Sequence, residues 1–196
     1  MRKRALLVSI AMVCLLFSST AMAEFGFMGI GGKVGYVKPE DPIDGTFGLG
    51  VVANLGTIIP ALRLEGNVDY WSKSYEASYM GFVGAEWTYS DIMIGATAKY
   101  MIPTQGTVAP YVGGGLALHM FSWEYTYEYT YIYDSYYDEI CTDTCEDSET
   151  DIGFHAVGGV EMTLSPNLRG SIEGRYAIAD PDHFGAFFLI TYMLRP

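Results

Sequence analysis

A closed, eight-stranded antiparallel β-barrel crossing a membrane is the fold class this sequence predicts, and three observations predict it. The first is a period of two. In Ala61–Trp71, Leu62, Leu64, Gly66, Val68 and Tyr70 alternate with Arg63, Glu65, Asn67 and Asp69, which sorts the two sets onto opposite faces of a strand. The second is the sorting of charge. Eight segments alternate in this way, and the apolar face of all eight lacks Asp, Glu, Lys and Arg. Lys33, Arg63, Glu65, Asp69, Lys99, Glu161, Arg169, Glu173 and Arg175 all take the other face. A sheet closed around a polar interior and wrapped in lipid needs this division. The third is the connectors, which run short and long in turn, as periplasmic turns and external loops do in membrane barrels.

The elements follow in order. The first strand is Phe27–Val37, with Met28, Ile30, Val34 and Tyr36 outward, and the second is Thr46–Leu55, with Phe47, Leu49, Val51, Ala53 and Leu55 outward. The third is Ala61–Trp71 and the fourth Ile92–Ile102. The fifth runs from Tyr111 past Phe121, the sixth over Ile152–Leu164, the seventh over Leu168–Ala177 and the eighth over Phe184–Leu194. Each is close to the ~9–11 residues a tilted strand needs to cross the hydrocarbon. Gly56–Pro60, Pro103–Gly106 and Ser165–Asn167 are the short turns. Lipid-facing aromatics fall at two heights: Tyr36, Phe47, Tyr70, Phe154, Tyr176 and Phe184 at the external end, Tyr100 and Tyr192 at the internal end. Interfacial girdles predict such bands.

The first 23 residues read as a secretory signal peptide: basic Arg2, Lys3 and Arg4, apolar Ala5–Phe17, then Ala21-Met22-Ala23 before the cut. Residues 24–196 then form one barrel domain. Without the three basic residues of the leader, eight Lys and Arg face 23 Asp and Glu, a net charge of −15, which argues against nucleic acid as a partner.

The glycine-rich Pro110-Tyr-Val-Gly-Gly-Gly-Leu116 and the stretch Leu168-Arg-Gly-Ser-Ile-Glu-Gly-Arg-Tyr176 lie within this strand pattern. Together they resemble the small outer-membrane barrels of the OmpA/OmpX type, porin-like β-barrels, over about residues 25–194. The resemblance implies an address in the bacterial outer membrane, with membrane lipid and the barrel-insertion machinery as partners. It names no chemistry.

Three constellations are candidates for function. The nine interior charges, five basic and four acidic, are expected to pair inside a lumen that eight strands leave just wide enough for side chains; a gated ion path is the alternative. His119 and His155 share the inward parity near the external ends of their strands. Met120 and Ala156 follow them, so the Ser–His arrangement of a lipid-modifying barrel enzyme is not evident, and local polar partners are expected. Glycines of Gly26–Gly35 lack the phosphate-loop spacing and are read as making room for neighbouring side chains.

The third external loop is the most unusual segment. Trp123, Tyr125, Tyr127, Tyr129, Tyr131 and Tyr133 alternate with Glu124, Thr126, Glu128, Thr130 and Ile132, so the fifth strand is expected to continue above the membrane. Phe121–Asp151 holds ten acidic residues and no basic one. The carboxylates at Asp143, Glu146, Asp147, Glu149 and Asp151 are of the type Ca²⁺ uses, without EF-hand spacing, and read as a solvated loop. Cys141 and Cys145 are expected to form a small disulfide, as suits an exported chain. Tyr and Trp dominate recognition surfaces, so this loop is the expected contact with an extracellular partner. The functional expectation is a non-enzymatic barrel without cofactor, its loops serving surface interaction or adhesion. A narrow channel for ions or small solutes and a lipid-modifying enzyme are the alternatives.

Overall fold

Alternating strands of this kind leave an unpaired edge unless the sheet closes on itself, and it does. The computed structural model describes residues 24–79, 83–133 and 137–194; the segment read as a signal peptide, residues 1–23, lies outside the described residues. The strands are β1 (Glu24–Pro39), β2 (Thr46–Ile59), β3 (Leu62–Tyr79), β4 (Val83–Met101), β5 (Val108–Tyr133), β6 (Tyr137–Ser165), β7 (Leu168–Ile178) and β8 (His183–Met193). Each pairs antiparallel with the next, and β1 pairs with β8 to close the ring.

The two faces divide as period two dictates, except that Met28, read as outward, is buried and Phe27 exposed, beside the register shift between Phe25 and Gly29. Ile30, Val34, Leu49, Val51, Ile94, Val112, Leu116, Ile172 and Phe188 are exposed on the outside. Register sets the aromatic heights: Tyr36 pairs with Phe47, Leu49 with Tyr70 and Tyr176 with Phe184 at one end. At the other end Tyr100 lies opposite Leu62, and Tyr192 opposite Ile30 and Leu168. Inward glycines make room, as at Gly35, where a Cβ would stand 2.7 Å from the Phe187 ring. Among the described residues only Gly56, beside the β2–β3 turn, has a left-handed glycine backbone, with φ of 96°.

Two further expectations are corrected. The long external connections are strand: β3 and β4 run 18 and 19 residues, β5 and β6 run 26 and 29. Residues 80–82 and 134–136, between them, lie outside the described residues. Thr, Tyr and Trp keep forming cross-strand pairs above the membrane, so the acidic segment around Asp143 is the return strand of a hairpin. The expected Cys141–Cys145 disulfide fails for the same reason. Both cysteines stand on β6, opposite Tyr129 and Tyr125. Four residues at ~3.3 Å each put their Cα atoms ~13 Å apart, beyond the ~7 Å a bridge can span. Cys145 is exposed and unbridged.

Candidate functional site

The lumen floor and middle are built from alternating charges. Arg169 Nη1 lies 3.1 Å from Glu161 Oε1, and Glu161 is gripped by both guanidinium nitrogens of Arg63. Arg63 reaches Glu65 at 3.7 Å, and Glu65 meets Lys99 Nζ at 2.6 Å. Lys99 also binds Glu173 at 2.6 Å, Glu173 binds Arg175 at 3.1 Å, and Arg175 binds Asp69 at 2.7 Å. Lys33 ends the chain 2.6 Å from Asp69, at an angle outside hydrogen-bond geometry. The nine sequence-selected charges thus form one continuous line in which the sign alternates at every step. Tyr111 donates to Glu173 at 2.9 Å, and the Lys99 ammonium sits 4.7 Å from the Tyr111 ring centre. Isolated charges at this depth are costly, and removing one partner of such a pair costs ~3–5 kcal/mol. Alternation is therefore the arrangement a narrow closed lumen can hold.

Above this line the lumen changes character. His119 Nδ1 lies 2.9 Å from Asp91 Oδ2, and the His183 ring centre is 5.4 Å from that of His119. His155 instead meets the Thr97 hydroxyl at 2.7 Å, so the two histidines singled out by parity find different partners. Asp91 Oδ1, His119 Nε2 and His155 Nδ1 are buried with no partner. Leaving such a group unsatisfied costs ~1–3 kcal/mol. Trp71 covers the mouth, its ring 6.4 Å from His183 and 6.3 Å from Phe121, with Tyr89 stacked on Phe121 at 6.3 Å. Asp91 and His183 escaped the sequence reading because each sits one residue outside a strand boundary drawn at Ile92 and Phe184. Their parity was the available signal: both continue the inward row.

Above the mouth, β3–β6 rise as a half-wall, and the odd positions of β5 keep the parity of the lumen face. Trp87 lies 5.2 Å from Tyr125, and Tyr125 lies 5.7 Å from Tyr127. Tyr127 donates to Asp143 at 2.9 Å, and Trp123 is exposed on the same row. Tyr129, Tyr131 and Tyr133 continue the register opposite Cys141, Glu139 and Tyr137; their side chains lie outside the described residues. The other face carries hydroxyl pairs, Ser74 with Thr88 at 2.8 Å, Ser90 with Ser122 at 2.9 Å and Thr126 with Thr144 at 3.2 Å. The half-wall is thus a free-standing sheet with an aromatic face and a polar face.

The model of the outer membrane protein beta-barrel domain family matches residues 8–187. The chain belongs to this family. As an outer-membrane barrel it is similar to Neisserial surface protein A, with 18% identity, 85% of this chain and 97% of that one covered, and a TM-score of 0.58. The attachment invasion locus protein of Yersinia pestis matches at 12% identity over 86% of this chain and 99% of its own, with a TM-score of 0.40. The N-terminal β-barrel domain of Pseudomonas aeruginosa OprF matches at 13% identity over 86% and 99%, with a TM-score of 0.44. At 18% identity the property shared with Neisserial surface protein A is the fold. A search of curated proteins finds no significant match.

Proposed function

We propose that this outer-membrane barrel is a closed, non-enzymatic scaffold, exported by the leader at residues 1–23, that holds the β3–β6 half-wall outside the cell as a surface for adhesive contact. The observation that carries the reading is the Trp87–Tyr125–Tyr127 aromatic ladder. It stands on strands far longer than the ~9–11 residues a bilayer needs. Such rings supply large contact area at low entropic cost, and the neighbouring carboxylates favour a partner that brings basic groups to the rings. The alternating charge line and the aromatic cap fill the bore, which argues for a scaffold over a channel; planar-bilayer recordings of the refolded barrel are expected to show no conductance.

The test replaces Trp87, Tyr125 and Tyr127 together with Ser. Heat-modifiable gel migration should be unchanged, while adhesion of cells displaying the protein to surfaces coated with basic protein should fall. Adhesion equal to that of the wild type at low and physiological salt would overturn the reading.

A further inference from the structure

Two imidazoles and a carboxylate meet beneath the aromatic cap, on strands from opposite sides of the ring. Asp91 on β4, His119 on β5 and His183 on β8 each bring one donor atom within 4.8 Å of the other two. All three are buried, with 3%, 2% and 7% of their surface exposed. We propose that Asp91, His119 and His183 bind a divalent first-row transition ion, of which Zn²⁺ is the representative, bracing β4 and β5 against β8 across the barrel mouth.

The donor set selects the class of ion. Imidazole nitrogen with one carboxylate suits Zn²⁺, Ni²⁺ or Cu²⁺, whereas Ca²⁺ and Mg²⁺ take oxygen donors. Three protein donors leave a fourth position for water. Donors around a tetrahedral Zn²⁺ stand roughly 3.3 Å apart, given bonds of about 2.0–2.1 Å. His119 Nδ1 and Asp91 Oδ2 are 2.9 Å apart, joined by a hydrogen bond that an ion would replace, and the three donors, all within 4.8 Å of one another, have only a short distance to close. Asp91 Oδ1 is buried and has no partner, so the carboxylate keeps an oxygen free for the ion. The positive charge of the cations below is offset by carboxylates, because Lys33 and Arg175 are paired with Asp69 and Glu173. Trp71, 6.4 Å from His183, shields the position from bulk water.

The experiment titrates Zn²⁺ into the refolded protein with Cys141 and Cys145 replaced by Ser, removing the thiols as competing ligands. Calorimetry should give one ion per folded chain, and Co²⁺ in its place should show the visible absorption of a tetrahedral site. His119→Ala and His183→Ala should each weaken binding at least tenfold, and His155→Ala should leave it unchanged. Folding of every variant is checked by heat-modifiable migration. If His119→Ala does not fold, His183→Gln, which keeps a polar group at the rim, carries the same test. A folded barrel that takes up no Zn²⁺ overturns the proposal. So does binding that survives loss of either histidine, which would place the ion on the acidic half-wall.

Discussion

The lumen and the half-wall are built from the same strands and obey opposite rules. At the level of the membrane, β3, β4 and β6 put Arg63, Glu65, Asp69, Lys99 and Glu161 on the inner face, and with Lys33 of β1 and Arg169, Glu173 and Arg175 of β7 they form the alternating line from Arg169 to Lys33. A few residues further along, the inner row of the same strands turns aromatic at Tyr89, Phe121, Trp123 and Tyr125, and the outer row turns from apolar to hydroxyl and carboxylate. What changes is the surroundings. Lipid outside and a narrow bore inside force apolar-out and paired-charge-in, whereas water on both sides of the half-wall asks only that strands pair. Disruption should therefore be expensive in the lumen and mild on the half-wall.

The largest difference should come from Lys99→Met, which strips a buried ammonium from both Glu65 and Glu173. We expect a loss of ~3–5 kcal/mol in urea unfolding from lipid vesicles, against no more than ~0.5 kcal/mol for the exposed half-wall change Glu124→Gln. Similar small losses at both sites would mean that water solvates the lumen charges. Next, Val112→Arg on the lipid face should cost ~2–4 kcal/mol, while Tyr125→Arg, above the membrane, should leave insertion intact. Equal defects would mean that the half-wall lies in the bilayer.

A finer test sits at the lumen floor. Glu161→Gln should destabilise more than Arg169→Gln, because Glu161 also holds Arg63. The double replacement should recover part of the loss, with a coupling of roughly 0.5–3 kcal/mol; strict additivity would break the alternating line at that step. The smallest effect belongs to the aromatic ladder. Trp87→Ser with Tyr125→Ser should speed hydrogen exchange at half-wall amides and leave the lumen-level amides of β4 and β5 unchanged. Coincident acceleration in both would make wall and barrel one cooperative unit.

Much of this barrel was legible in the chain because a strand in lipid has a strict alternation. Lys33, Arg63, Asp69 and Glu173 could be assigned to the inner face from parity alone, and Tyr36 and Tyr192 to opposite girdles from their distance along the strands. Strand ends were not legible where water replaces lipid, because the hydropathy pattern stops there while backbone pairing does not. That is why Cys141 and Cys145 read as a loop bridge and stand on one extended strand. Only closure of the ring decided the partners: Lys33 on β1 meets Asp69 on β3, and Arg63 on β3 meets Glu161 on β6, 98 residues apart. Closure likewise set His183 against His119, since β8 and β5 face each other across the bore and no local spacing links them. The sequence determines which face each residue takes, a property of the single strand; the number of strands and their register decide which residues meet, because those depend on the whole sheet.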